Sequence, residues 1–120
     1  MTPTIVETGG KLFMVVGTPG GSTIITSVFQ TIINVIDFDM GMQSAVAAKR
    51  FHHQWLPDRI TYERFSLSPD TLAALRAKGH EVVQGGNQGV AEVIVYSPVG
   101  DMLEGGVDRR QPDGGAALPR

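Results

Sequence analysis

Cysteine is absent from this chain, so disulfides and thiolate chemistry are both excluded and no redox compartment can be read from it. Charge of either sign is scarce as well. A net charge of -2 at pH 7 supplies no basic field for nucleic acid. Long apolar runs are missing, and none approaches the roughly 20 residues needed to span a bilayer. Met1-Thr2-Pro3-Thr4 is neither basic nor followed by a long apolar core, so no secretory signal is expected there. The nucleotide-binding patterns GxxxxGK[ST] and GxGxxG are also absent, and so are HExxH and the G-x-S-x-G serine elbow.

What is present is enough apolar material for one domain. The 120 residues are 42% hydrophobic, sufficient to bury a core. The chain is organised around Gly17-Thr18-Pro19-Gly20-Gly21-Ser22. The apolar run from Leu12 to Val16 before it reads as a buried strand. After it, Ile24, Ile25, Val28, Phe29, Ile32, Ile33, Val35 and Ile36 fall on one side of a helical wheel. Thr23, Thr26, Ser27, Gln30, Thr31 and Asn34 fall on the other, which predicts an amphipathic helix with a wide apolar face. Ser22 is the expected N-cap. A strand, glycine turn and helix in this order can present free N–H groups to an anion or to a developing oxyanion. The same pattern also serves simply to start a helix, and both readings stand at this point.

The remaining elements follow from punctuation. Thr4 to Glu7 and Lys11 to Val16 form an opening hairpin around Gly9-Gly10. The long helix is expected to end near Asp37 to Gly41, with Gly41 as the stop, and a short helix to run from Gln43 to Lys49. Ile60 to Glu63 reads as a strand. Ser68-Pro69-Asp70 reads as N-cap, first-turn proline and favourable acid of a helix that closes at Gly79. Leu72 and Leu75, with Ala73, Ala74 and Ala77, would form its inner face. Strands are expected over 80–83, 90–96 and 102–107, the last two joined by a turn over 97–101. The tail over 108–120, rich in proline, glycine and charge, is expected to be loop. The residues therefore divide into a domain over 1–107 and a tail over 108–120. The order β-β-α-α-β-α-β-β-β implies an α/β (α+β) layered sandwich, with helices on a largely antiparallel sheet.

Four groups invite chemistry. His52-His53 suggests a metal, but adjacent residues diverge in strand or helix, so a structural role is expected. Asp37 and Asp39 sit at a helix end, where turn formation comes first. Ser22, Ser27 and Ser68 lack a serine-hydrolase setting. Asp108-Arg109-Arg110 reads as an ion-pair cluster fixing the tail, with anion binding as the alternative.

Several blocks carry a resemblance: Thr2-Pro3-Thr4-Ile5-Val6, Gly17 to Ile25, Asn34-Val35-Ile36-Asp37-Phe38, and Ala47 to Asp58 with its His-His-Gln-Trp-Leu-Pro run. Ser68 to His80 and Asp108 to Gly114 belong with them. Together they resemble the C-terminal part of the small subunit of the gamma-glutamyltranspeptidase (gamma-glutamyltransferase) family. The resemblance implies the C-terminal portion of an N-terminal-nucleophile hydrolase αββα fold, made from a precursor that cleaves itself. It implies an enzyme that transfers or hydrolyses gamma-glutamyl groups, from glutathione-type donors, through a threonine acyl-enzyme. The family's oxyanion-hole glycines match Gly20 and Gly21, while the nucleophilic threonine and a carboxylate-binding Ser-Ser pair lie upstream of this chain. The implied partners are the rest of the small subunit, the large subunit and the gamma-glutamyl substrate. No cofactor or metal is implied, and the compartment stays open. Alone, the piece is expected to be inactive and to self-associate through apolar surface. The other readings are a same-fold acylase of the cephalosporin-acylase kind and a non-catalytic anion-binding or interaction domain.

Overall fold

The computed structural model describes residues 3–97 and 101–115. Strands β1 (Thr4–Thr8), β2 (Lys11–Gly17), β6 (Glu92–Ser97) and β7 (Met102–Val107) form one antiparallel sheet in the order β1-β2-β6-β7. Helices α1 (Ile24–Ile36) and α2 (Met42–Ala47) cover one face of it, α1 on β2 and α2 on β6 and β7. A second, small sheet holds β3 (Phe51–His52), β4 (Ile60–Tyr62) and β5 (Val82–Gln84), with β4 and β5 parallel and joined through α3 (Pro69–Ala77). The layered α+β order expected from the sequence is therefore present, with one short strand, β3, that periodicity did not reveal. The expected turn over 97–101 lies partly outside the described residues, as does the end of the tail.

Alternation along the strands decides which side is core. Met14, Val16, Val93 and Val95 point at the helices and join Val28, Met42, Ala45, Val46 and Ala91 in the buried cluster. The opposite face carries a row in register across four strands: Ile5, Val15, Ile94 and Gly105. Among the described residues no layer covers that row, and Ile5 and Ile94 are 64% and 50% exposed.

Helix α1 departs from the expected amphipathic wheel. Ser27 and Thr31, placed on its polar side by the sequence, are fully buried, while Ile25 and Phe29 are 78% and 61% exposed. The polar pair can go inside because each hydroxyl is satisfied there: Thr31 Oγ1 donates to Ser27 O at 2.9 Å, and Ser27 Oγ to Gln88 O at 2.7 Å. The start of the helix also differs. A 3-10 turn over Gly21–Thr23 precedes it, and neither Ser22 nor any other side chain caps it. Gly41 is not its stop. The helix closes at Asp37, whose N–H donates to Ile33 O, and Gly41 instead precedes α2.

Helix α3 begins and ends as its sequence dictates. Ser68 Oγ accepts from Thr71 N at 3.1 Å, Pro69 opens the first turn, and Gly79 takes φ 91 just past the end. Its expected inner face is shallower than predicted. Leu72 and Leu75 are only half-buried, and Ala73, Ala74 and Ala77 are exposed. Among the described residues no helix is long and apolar enough to cross a membrane.

Candidate active site

The turn between β2 and α1 is shaped by glycine. Gly20 has φ 142 and Gly21 φ 58, both in the region that disfavours a side chain. Its internal hydrogen bonds run through a carbonyl: Thr23 N–H and Thr23 Oγ1 both donate to Gly20 O, at 3.2 and 2.8 Å. No partner engages the N–H of Gly20 or Gly21 among the described residues. Both residues are exposed, and a Cβ placed on Gly21 would meet no atom within 4 Å. Two glycine N–H groups thus stand at the turn that leads into the 13-residue helix α1, with open space beside Gly21 and with Gly20 pressed against Thr23 and Gly89.

Behind the turn lies a buried polar assembly. The fully buried Thr18 donates through Oγ1 to Pro19 O at 2.7 Å and accepts there from Val90 N–H at 2.9 Å. This ties the turn to the segment Gln88–Ala91. That segment is in turn held by ions: Arg50 Nη1 donates to Gln88 O and Gly89 O, Gln88 N–H donates to Glu63 Oε1, and Ala91 N–H donates to Asp108 Oδ2.

The ions themselves form a neutral set of four. Arg50 Nη2 meets Asp108 Oδ2 at 3.0 Å, Arg110 Nη1 meets Asp108 Oδ1 at 2.9 Å, and Arg110 Nη2 meets Glu63 Oε2 at 2.6 Å. Arg110 also donates to the carbonyls of Val46 and Ala48, so each of its N–H groups has an acceptor. Burial alone would raise both carboxyl pKa values. Hydrogen bonds from Arg110, Gln88 N–H and Arg50 N–H overcome this for Glu63 and hold it below the ordinary carboxylate range. For Asp108, hydrogen bonds from Ala91 N–H and Arg110, with the Arg50 charge, do the same. Burial and the neighbouring Arg110 charge lower Arg50, whereas the two carboxylates raise Arg110 against its burial.

The structural reading of Asp108-Arg109-Arg110 thus holds for Asp108 and Arg110. Arg109 is exposed. Arg50 and Glu63 complete the cluster and were not singled out by the sequence. Each stands beside another charge, Lys49 and Arg64, so nothing local in the sequence sets it apart.

The other sequence candidates stand elsewhere. His52, on β3, is buried against α1, with Thr26 Oγ1 at 2.7 Å from Nδ1 and Gln54 Oε1 at 2.9 Å from Nε2. Gln54 Nε2 donates to Leu56 O, which leaves its Oε1 to face His52 Nε2. His53 turns away and meets Asp58 at 3.1 Å. Among the described residues no group of three or more His, Asp or Glu could hold a metal. Ser27 is locked to Gln88, Ser68 caps α3, Asp37 closes α1, and Asp39 takes a positive φ in the turn beyond it.

Comparison with known proteins identifies the family. A family model described as Gamma-glutamyltranspeptidase matches residues 1–118. The glutathione hydrolase proenzyme of Escherichia coli (strain K12) is 46% identical over 113 residues, covering 94% of this chain and 19% of that relative. The glutathione hydrolase proenzyme of Pseudomonas sp. (strain A14) is 48% identical over 100 residues, covering 82% of this chain and 17% of that relative. The solved structure of a Helicobacter pylori gamma-glutamyltranspeptidase point mutant superposes with a TM-score of 0.87 at 42% identity, over 92% of this chain and 61% of that one. The chain spans less than a fifth of the length of the two proenzymes. With its fold that of the N-terminal-nucleophile hydrolases, the chain belongs to the gamma-glutamyltranspeptidase family.

Proposed function

We propose that the protein carrying this chain transfers or hydrolyses gamma-glutamyl groups from glutathione-type donors, and that Gly20 and Gly21 supply its oxyanion hole. The observation that carries the reading is the pair of unengaged N–H groups in the turn that opens into α1, with open space beside Gly21 and the hydrogen bonds of the buried Thr18 hydroxyl behind it. When a nucleophile attacks the gamma-glutamyl carbonyl, the oxygen gains negative charge. Two fixed N–H donors and the positive end of α1 favour that charge more than they favour the ground-state carbonyl. The threonine's own alpha-amino group takes the hydroxyl proton during attack and passes it to the leaving nitrogen, so collapse of the tetrahedral species expels a neutral amine and leaves an acyl-enzyme. Water or an acceptor amine then attacks, and the same donors serve the second oxyanion.

The nucleophile of this scheme is a threonine outside these 120 residues, so the chain alone is inactive. Its partners are the rest of the small subunit and the large subunit. The uncovered row Ile5, Val15 and Ile94 supports a further layer packed on the sheet, as the αββα sandwich requires.

The test is hydrolysis of a gamma-glutamyl anilide by the full-length protein, with self-cleavage followed on a gel. Wild type should release the aniline. Gly21→Ala, which places a methyl beside the donors at φ 58, should self-cleave and lose at least tenfold in kcat. A self-cleaved wild type that turns over no gamma-glutamyl anilide would favour the acylase reading. A protein that does not self-cleave would favour a non-catalytic anion-binding domain.

A further inference from the structure

We propose that Thr18 and Gly89 are positioning residues for the oxyanion turn, acting through its backbone rather than by touching substrate. The proposal rests on the reading of Gly20 and Gly21 given above. Two segments 70 residues apart are pressed together here. A Cβ on Gly89 would lie 2.6 Å from Thr18 Oγ1, 3.1 Å from Pro19 O and 3.2 Å from Ser27 Oγ, and one on Gly20 would lie 3.4 Å from Gly89 Cα. Gly89 also takes φ 74, so both its backbone and its surroundings demand glycine.

The Thr18 hydroxyl is the joint between the segments. It donates to Pro19 O, the carbonyl directly before Gly20, and accepts from Val90 N–H. The far side of the joint is immobilised, because Ser27 Oγ and Arg50 Nη1 bind Gln88 O, and Arg50 also binds Gly89 O. The peptide that bears the Gly20 N–H therefore has its orientation fixed by a buried hydroxyl anchored to an immobile neighbour. An oxyanion donor must sit within about 2.7–3.1 Å of the charged oxygen, and a misplacement of about 1 Å costs roughly a hundredfold.

The two tetrahedral steps use the same donors. A misaimed turn slows acylation and deacylation together, which lowers kcat and leaves KM nearly unchanged. A residue needed only for folding would lower the melting temperature or block self-cleavage instead, leaving kcat of the processed enzyme intact.

The experiment compares Thr18→Val, Thr18→Ser and Gly89→Ala in the full-length protein, using the same gamma-glutamyl anilide and counting only self-cleaved enzyme. Thr18→Val keeps the shape and removes the hydroxyl. Its kcat should fall roughly ten- to a hundredfold with KM within about twofold of wild type, and Thr18→Ser should recover most of the loss. Gly89→Ala should show the same split, and it decides the matter should Thr18→Val fail to self-cleave. Wild-type kcat in Thr18→Val or Gly89→Ala would overturn the proposal, and so would Thr18→Ser as slow as Thr18→Val. Failure of both variants to self-cleave would also overturn it, assigning the pair to folding. An inactive but self-cleaved wild type would instead overturn the gamma-glutamyl reading on which the proposal rests.

Discussion

Glu63 and Arg110, 47 residues apart, meet side-on: Arg110 Nε donates to Oε1 at 2.7 Å and Nη2 to Oε2 at 2.6 Å, with both side chains buried. This bidentate geometry matches the planar guanidinium to the planar carboxylate and ties the end of β4 to the segment after β7. The two remaining ions of the cluster complete the charge balance.

Acid should loosen this joint. Glu63 and Asp108 both have depressed pKa values in the folded chain, so at low pH the unfolded chain binds more protons. Their stabilisation is fully present above the unfolded carboxylate values, at about pH 4, and is lost as pH falls through the folded values. Urea melts from pH 7 to 3 should therefore show a flat midpoint near neutrality and a fall below about pH 4. Glu63→Gln should start lower and fall less steeply. An acid limb just as steep in that variant would remove Glu63 from the account.

Arg50→Met should destabilise the protein by about 3–5 kcal/mol, because it removes one of the two buried cations that balance Glu63 and Asp108 and takes a donor from Asp108 and from the carbonyls of Gln88, Gly89 and Val46. Arg50→Lys should rescue little of this. One ammonium cannot reach the Gln88 and Val46 carbonyls and the Asp108 carboxylate together. Thermal melts of the three proteins check this, and a fully stable lysine variant would contradict it.

Gly106 offers a test of packing. A Cβ there would lie 2.7 Å from Val46 Cγ2 and 3.1 Å from Met42 Cγ, in the seam between β7 and α2. Gly106→Ala should cost about 1–3 kcal/mol in chemical denaturation, through overpacking rather than backbone strain. Trimming the obstruction with Val46→Ala should return part of that loss in the double variant, giving a non-additive cycle.

Ser68→Ala should cost about 0.5–2 kcal/mol by removing the side-chain acceptor of Thr71 N–H. Because α3 has no fully buried residue, the loss should appear first as faster amide exchange in the opening turn of α3, with the main sheet unchanged. Uniformly faster exchange across both sheets would show that α3 is coupled to the whole fold.

The isolated 120-residue chain should associate. Ile25, Phe29, Phe38, Ile5 and Ile94 are all exposed on two faces. Sedimentation should find species larger than a monomer, and an environment-sensitive dye should brighten on binding. A clean monomer that binds no dye would mean that these residues find cover within the chain.

Local grammar was readable where a signal lies within a few residues. The α3 boundaries, both main hairpins and the glycine turn follow from short patterns. What escaped the sequence depends on distance. Ser27 and Thr31 look solvent-facing by periodicity, because the carbonyl that accepts from Ser27 comes from residue 88. Arg50 and Glu63 look like ordinary surface charges until Asp108 and Arg110 arrive from the far end of the chain. The candidate site divides in the same way. Gly20 and Gly21 announce themselves, whereas the roles of Thr18 and Gly89 exist only once two remote segments touch.

The buried ion set also constrains the order of assembly. Arg50 and Glu63 lie at opposite ends of the segment that forms β3 and β4, yet their charges are neutralised by residues 108 and 110. Until that late segment docks, closing the small sheet against α1 would strand a cation and an anion away from water, each short of its partners. The strands of the large sheet bury no ionised side chain of their own and can pair earlier. A closure between residues this remote in sequence is expected to be slower than formation of the individually local helices and hairpins. In a pulse-labelling experiment, Gln88 N–H and Ala91 N–H, which are bonded to the two carboxylates, would be among the last amides to gain protection.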